Sequence, residues 1–337
     1  MPSLSMRIAA IALSIALAWL TYKFVEHPLR FGAQSKAKVF VLMVLMAIVG
    51  YVGYNAYSRD GYESRDTIKG FVNYKNELIR TPAVDEECLK YVGTANPLFP
   101  YCKYTNANAD ETVAIIGDSH AHAAYLGISE FLLSKGVNSI LLANSSCPPF
   151  MGSYTGRNRS EKDACRDRID QLLNIVSSHK DIKKVFIFTR GPIYNEGTTT
   201  LAGDKNVSSD TIPIDDFAHS AQLSINHLSK AGKTIYYVTE NPEISYPIES
   251  CINRPFKSGV RNCATEKSAV LKRQADYLNA FNNLKNVIVL NSLTAFCPQN
   301  VCIVFDQNGH LLYADDNHLS IAGSNFQVTK LLAKFLD

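Results

Sequence analysis

The stretch Val113-Ala114-Ile115-Ile116-Gly117-Asp118-Ser119-His120 decides how this chain is read. An apolar run of β-forming residues, too short for a helix, stops at Gly-Asp-Ser-His, and Ala121 to Leu133 then has helical spacing. Ser119 therefore stands at the carboxyl end of a strand, where the chain turns into a helix. In an open α/β sheet ligands bind along that edge, and N–H groups at the helix start can stabilise an oxyanion. Ser119 is the candidate nucleophile, but Gly-Asp-Ser alone also describes a helix N-cap, and a serine needs a base to react.

A base is offered near the C-terminus by Asp315-Asp316-Asn317-His318-Leu319-Ser320. A carboxylate three residues before a histidine can hold the ring in one tautomer and leave its other nitrogen for the serine. Ser119, His318 and Asp315 form a candidate triad, with Asp316 as a rival to Asp315. Gly-Asp-Ser-His after a strand, joined with Asp-x-x-His-Leu-Ser before the last helix, resembles the SGNH hydrolase superfamily. That resemblance implies an α/β fold of the SGNH, flavodoxin-like kind: a three-layer sandwich around a mostly parallel sheet.

Alternation of strand and helix along the chain points the same way. Strands are expected at 112–116, 138–143, 184–189, 233–239 and 287–290, with helices near 122–134, 163–178, 215–231 and 265–284. Asn308-Gly309 predicts a short hairpin that delivers Asp315 and His318, and Ser320 caps a final helix running to about Phe335. Residues 111–337 are read as the catalytic domain. Residues 57–110 are read as an irregular extension, with a helix near 67–79.

Upstream, Ile8 to Val25 and Val39 to Tyr54 are two apolar runs of near membrane-spanning length, separated by a short basic loop with Arg30, Lys36 and Lys38. The positive-inside rule puts that loop in the cytoplasm and everything after the second run on the far side. Residues 1–56 are thus expected to hold two transmembrane helices. A signal peptide is the alternative for the first run, although no small-x-small cleavage site follows it cleanly.

The eight cysteines agree with that compartment. They fall in sequence-near pairs, Cys88 with Cys102, Cys147 with Cys165, Cys251 with Cys263 and Cys297 with Cys302. None has zinc-ribbon spacing, so disulfides are expected and a metal is not; buried free thiols are the alternative. A net charge of +3, without a basic stripe interleaved with aromatics, gives no sign of a nucleic-acid partner.

Tyr22-Lys23-Phe24-Val25-Glu26-His27-Pro28-Leu29-Arg30 resembles the Tyr-x-x-x-Glu-x-Pro-Leu-Arg signature that closes the membrane domain of acyltransferase-3 proteins. Many of those continue through a further span into an extracytoplasmic SGNH domain, the order met here, although only about the last two spans are present. That abbreviation implies a split, truncated or internally started product working with a separate membrane acyltransferase domain. Glu26 and Arg30 are read as an interfacial pair.

Several site residues rest on weaker signals. The superfamily adds a glycine backbone and an asparagine side chain to the N–H of Ser119 in its oxyanion hole. Here the loop after the second strand reads Ala143-Asn144-Ser145-Ser146-Cys147-Pro148-Pro149, so Asn144 or Gly152 is the candidate second donor. Arg190 ends the third strand, as a ligand for an anionic acceptor, a replacement donor or a plain surface arginine. Asp118 is expected to bond neighbouring backbone, His120 to line the site and His122 to pack in its helix.

The acyltransferase-3 resemblance implies O-acetyl transfer to a cell-envelope glycan such as lipopolysaccharide O-antigen, with acetyl-CoA as ultimate donor and no cofactor bound. The chain would sit in a bacterial inner membrane with its catalytic domain periplasmic. A membrane-anchored carbohydrate esterase and a non-catalytic remnant that binds glycan are the alternatives.

Overall fold

Thr112–Gly117 is buried at every position, as a strand covered on both faces must be. The structure is a computed structural model that describes residues 4–32, 36–59, 83–156, 158–197, 211–252 and 263–336. Its residues form two units, Met1–Arg65 and Asp66–Asp337.

The first unit contains two helices, α1 (Leu4–Phe31) and α2 (Lys36–Ser58), with mean hydropathies of 1.8 and 2.0. Both are long and apolar enough to cross a bilayer. No side chain in Leu4–Thr21 or in α2 is buried within the protein, and water would penalise that apolar surface where lipid would not. Near the end of α1, in and just after a π-helical turn at Tyr22–Glu26, Glu26 and Arg30 form an exposed pair at 3.1 Å.

The second unit runs α3 (Glu86–Val92), β1 (Tyr101–Thr105), β2 (Thr112–Gly117), α4 (Ser119–Ser134), β3 (Asn138–Ala143), α5 (Arg159–Ser178), β4 (Ile182–Phe188), α6 (Ile214–Lys230), β5 (Thr234–Val238), α7 (Lys267–Asn282) and β6 (Ile288–Leu290). Residues 321–336 form the last helix, α8, with a π-helical turn at Val328–Leu332. The six-stranded sheet has the order β1-β3-β2-β4-β5-β6, in which β1 is antiparallel to β3 and all other pairs are parallel. Counted from β2, the parallel strands lie 2-1-3-4-5, the flavodoxin-like doubly wound order. The strand order reverses at β2, so the crevice for a ligand opens between the carboxyl ends of β2 and β4.

Alternating side chains divide the core between the two faces. Val113, Ile115, Phe186 and Phe188 point to the layer holding Ile128 of α4 and Leu332 of α8. Ala114, Ile116, Val185 and Ile187 point to the layer holding Leu172 of α5, Ile225 of α6 and Phe281 of α7. Four disulfides join the pairs Cys88–Cys102, Cys147–Cys165, Cys251–Cys263 and Cys297–Cys302.

One sequence expectation needs revision. Residues 83–105 are not an irregular extension, because α3 and β1 lie there and β1 completes one edge of the sheet. β1 carries Lys103 among its five residues and follows Pro97 and Pro100, so its strand character comes from pairing with β3 rather than from its own pattern. The expected helix at 67–79 lies outside the described residues. Around Asn308-Gly309 the structure has a side-chain-bonded turn, in which Asp306 Oδ1 accepts the N–H groups of Asn308 and His310 at 2.9 and 2.8 Å. The antiparallel bridge Phe305↔Leu311 flanks it, with Asp306 N donating to His310 O at 3.0 Å and Leu312 N to Val304 O at 2.9 Å, so the chain doubles back there as a short hairpin.

Candidate active site

β2 ends at Gly117, whose φ of +155° L side chains rarely adopt, and a Cβ there would fall 1.9 Å from the Phe188 carbonyl oxygen of β4. The absent side chain lets the two strand ends close up, and Asp118 N donates to that same carbonyl at 3.2 Å. Asp118 then caps α4, its Oδ1 accepting from His120 N at 2.8 Å. Its Oδ2 accepts from Arg190 N at 2.8 Å and from the Tyr194 hydroxyl at 2.7 Å. Burial pushes the Asp118 carboxyl upward in pKa, partly offset by those donors. Asp118 therefore ties together the ends of β2 and β4 and the short helix Pro192–Glu196.

This corner sets Ser119 at the head of α4, with its Oγ 2.8 Å from His318 Nε2. His318 Nδ1 lies 2.7 Å from Asp315 Oδ2. The Asp315–His318 loop is a side-chain-bonded turn, since Asp315 Oδ1 accepts the N–H groups of Asn317 at 2.9 Å and His318 at 2.7 Å. Residues following β5 clamp it: Ile244 N donates to Asp316 O at 2.8 Å, and Asn241 Nδ2 to Asn317 O at 2.6 Å. Asp316 accepts from the Asn317 side chain, so the ring is bonded by Asp315. Serine and imidazole are 199 residues apart in sequence, and the packing of α8 on α4 joins them. Gly127 N donates to Ser324 Oγ at 2.9 Å, and Ser324 Oγ to Ala124 O at 2.7 Å. A Cβ on Gly127 would lie 2.7 Å from Asn325 N, so these helices meet backbone to backbone.

The pair is poised for proton transfer. Burial alone would raise the pKa of Asp315, but the hydrogen bond and charge of His318 and two backbone N–H groups hold it below the usual carboxylate range. Desolvation alone would lower His318, yet the hydrogen bond and charge of Asp315 outweigh it and leave the imidazole above its ordinary 6.5. Ser119 and His318 open into a cavity of about 930 Å3, also lined by Tyr101, Asn144, Arg168 and Arg190.

The other site candidates divide. Asn144 is buried on the cavity wall, with Oδ1 accepting from Arg168 at 3.4 Å and Nδ2 turned toward Cys147 Sγ at 3.9 Å. Gly152 is exposed and outside the cavity lining, in a turn at φ +79°. The loop reaches the cavity instead through Ser145, Ser146 and Gly156. Ser146 takes a left-handed φ of +54°, and its carbonyl is pinned by Thr155 Oγ1 at 2.8 Å. Arg190 is not a surface residue, since only 7% of it is exposed. It reaches the cavity while its charge is met by Glu243 at 3.3 Å and Glu240 at 3.9 Å. Burial, then the neighbouring Glu243, pushes the Glu240 carboxyl well up.

The two histidines exchange their expected places. His120 is buried behind the loop, its Nε2 3.2 Å from Asn317 Oδ1 and its ring 4.9 Å from that of His318, and it does not line the cavity. His122 does, stacked on Tyr101. In a helix the third residue after Ser119 shares its face, whereas the next residue turns away. Sequence reading also missed Tyr194 and Asn317, because their partners Asp118 and His120 lie 76 and 197 residues away. For Tyr101 the only signal was its place before a cysteine in an aromatic stretch.

A doubly wound sheet with a serine, an imidazole and a carboxylate bonded in series at its switch point defines the class. Residues 87–332 match the family described as the SGNH domain fused to AT3 domains, and the chain belongs to that family. The AT3 domain itself is not in this chain. The periplasmic domain of a lipopolysaccharide acetyltransferase from Salmonella ser. Paratyphi A has a similar fold, with a TM-score of 0.53 at 16% identity, over 81% of this chain and 98% of that one. A GDSL-like lipase from Bacteroides thetaiotaomicron aligns with a TM-score of 0.37 at 14% identity, over 79% of this chain and 98% of that one. A search of curated protein sequences finds no match.

Proposed function

We propose that this chain is a serine-dependent O-acyltransferase that acetylates a cell-envelope polysaccharide, such as lipopolysaccharide O-antigen, through an acyl-Ser119 intermediate. The observation that carries the reading is the Ser119–His318–Asp315 hydrogen-bonded series, at 2.8 and 2.7 Å, opening into a cavity much larger than an acetyl group. Membership of a family whose members are fused to AT3 domains, and the fold shared with a lipopolysaccharide acetyltransferase domain, favour transfer.

The chemistry follows from the protonation states. His318 Nε2 takes the Ser119 hydroxyl proton as Oγ forms its bond to the acyl carbon, and Asp315 steadies the imidazolium. As the tetrahedral adduct collapses, the bond to the donor's leaving group breaks, and that group carries away the proton from His318. A sugar hydroxyl then gives its proton to the same nitrogen and attacks the acyl-serine. Ser119 Oγ regains the proton, and the acetyl group leaves as a sugar ester. The Ser119 N–H and the Asn144 amide are the proposed oxyanion donors, each worth about 3 kcal/mol of barrier where such a donor is fully aligned.

In this proposal α1 and α2 anchor the chain in a bacterial inner membrane and place the disulfide-bonded unit in the periplasm. Acetyl-CoA is the ultimate donor on the cytoplasmic side, and a separate AT3 membrane domain is the partner that passes the acetyl group to Ser119. The test is to give the full chain in lipid nanodiscs p-nitrophenyl acetate, with and without sugar acceptors. Acetylated sugar that vanishes in Ser119→Ala supports the transferase. Acetate alone, at a rate that no acceptor changes, identifies an esterase, and turnover unaffected by Ser119→Ala removes the mechanism.

A further inference from the structure

Tyr101 and His122 form a feature of the cavity that the triad does not use. Their rings stack with centroids 4.3 Å apart and planes at 11°, and both residues line the cavity that holds Ser119. His122 is three residues after Ser119 in α4, so the side chains are neighbours on one helical face. Tyr101 comes from the edge strand β1, so its ring reaches the nucleophile's helix from a different part of the chain.

His122 Nε2 is buried, and among the described residues it has no hydrogen-bond partner. Nε2 has no accessible surface, so the polar atom this ring can turn to the cavity is Nδ1. Burial, followed by the charges of Lys103 and His318, pushes the His122 pKa down to about 4. The ring is therefore neutral in ordinary conditions and suited to a hydroxyl rather than an anion. The nearby cation Arg190 is already met by Glu240 and Glu243. A flat aromatic pair offering one uncharged nitrogen matches a pyranose ring, which has an apolar C–H face and hydroxyls along its edge.

We propose that the Tyr101–His122 stack is the acceptor subsite, with a neutral pyranose lying against the rings and one hydroxyl bonded to the His122 imidazole, so that a neighbouring hydroxyl faces Ser119. The subsite takes its meaning from the acyl-transfer reading of Ser119, since a hydrolase needs only water there. Tyr101 and His122 thereby become specificity-determining residues that act on the acceptor step.

The experiment measures sugar binding without chemistry. The full chain in nanodiscs is titrated with methyl α-glucoside, galactoside, mannoside and rhamnoside, followed by saturation-transfer NMR. At least one pyranoside should receive saturation on its ring protons. Tyr101→Ala should weaken that binding about ten-fold, and His122→Phe, which keeps a ring in the stack but removes the nitrogen, about three-fold. Circular-dichroism melts of both variants guard against unfolding, and His122→Phe carries the test if Tyr101→Ala fails to fold. No binding by any of the four sugars, or binding unchanged in both variants, overturns the subsite. Release of p-nitrophenolate by the parent and by Ser119→Ala reports separately on the acyl reading. Sugar binding that depends on the stack beside Ser119-independent release would keep the subsite and discard that reading.

Discussion

The wall of the cavity that carries Ser119 and His318 is fixed by hydrogen bonds among backbone and buried groups: Asp118 to three donors, Asp315 to two N–H groups, and Asn241 and Ile244 to the histidine loop. A second part of the wall, from residues 144–156 and 158–168, depends on the Cys147–Cys165 disulfide, the Thr155–Ser146 bond and the Arg168–Asn144 contact at 3.4 Å. The first wall is held by bonds of 2.6 to 2.9 Å on both sides of the Ser119–His318 contact. The second is a clasped loop in which the geometry of Asn144 is secured at a distance, and substitutions on the two sides should fail in different ways.

The largest effect is expected on the first wall. Ser119→Ala or His318→Ala should each lower turnover of p-nitrophenyl acetate by about 10^4-fold or more, and the double variant little further, because the residues act as a unit. Loss in the double variant that equals the product of the single losses would break the unit apart.

Asp315→Asn should cost about 10^2- to 10^4-fold, by favouring the wrong tautomer of His318. Asp316→Asn should cost far less, because Asp316 bonds Asn317 and not the ring. Steady-state kinetics of the pair separates them, and equal losses would reassign the carboxylate.

Turnover should rise with pH through the His318 pKa, which lies above 6.5, and fall about ten-fold per unit below it, where the imidazolium cannot accept the Ser119 proton. Asp315→Asn should move that midpoint to lower pH. For stability the signs are opposite. The raised His318 pKa stabilises the fold below 6.5, and that contribution is lost as pH rises through the folded value. The depressed Asp315 pKa stabilises above its ordinary 3.8 and is lost as pH falls toward its folded value. A pH–rate profile and urea midpoints across pH measure the two separately.

On the second wall, replacing Cys147 and Cys165 together by serine should cost about 3 kcal/mol in urea unfolding, by freeing a loop of 18 residues' separation. It should also cut turnover about ten-fold by loosening Asn144. The Cys297–Cys302 pair, with a separation of 5 and outside the cavity lining, is the control. Its removal should lower stability by about 2 kcal/mol while turnover stays within about three-fold. A turnover loss as large as that of the first pair would mean that the clasp has no special role.

What the sequence made legible follows the same division. The corner Gly117-Asp118-Ser119 and the turn Asp315 to His318 obey local rules of strand end, cap and side-chain-bonded turn, so their residues could be read directly. The parallel strands were legible because both of their faces are covered, which leaves continuous apolar runs. Strand β1 was not, because its pairing with β3 is tertiary. Arg190 looked like a surface cation because nothing nearby in sequence shows that Glu240 and Glu243 fold back onto it. His120 draws the eye because it adjoins Ser119 in sequence, whereas the helix puts His122, at i+3, on the same face as Ser119. Gly152 drew notice as a glycine in the right loop, whereas the loop's path to the cavity depends on the disulfide and on Thr155.

The close approach of α4 and α8 at Gly127 and Ser324 has a consequence for the order in which the polypeptide is made. Any nascent chain that stops short of residue 318 carries Ser119 without the imidazole to which it is bonded in the finished fold. The bonded series is therefore complete only once residue 318 has been made and α8 has closed onto α4, so the order of synthesis keeps the two halves of the site apart until late.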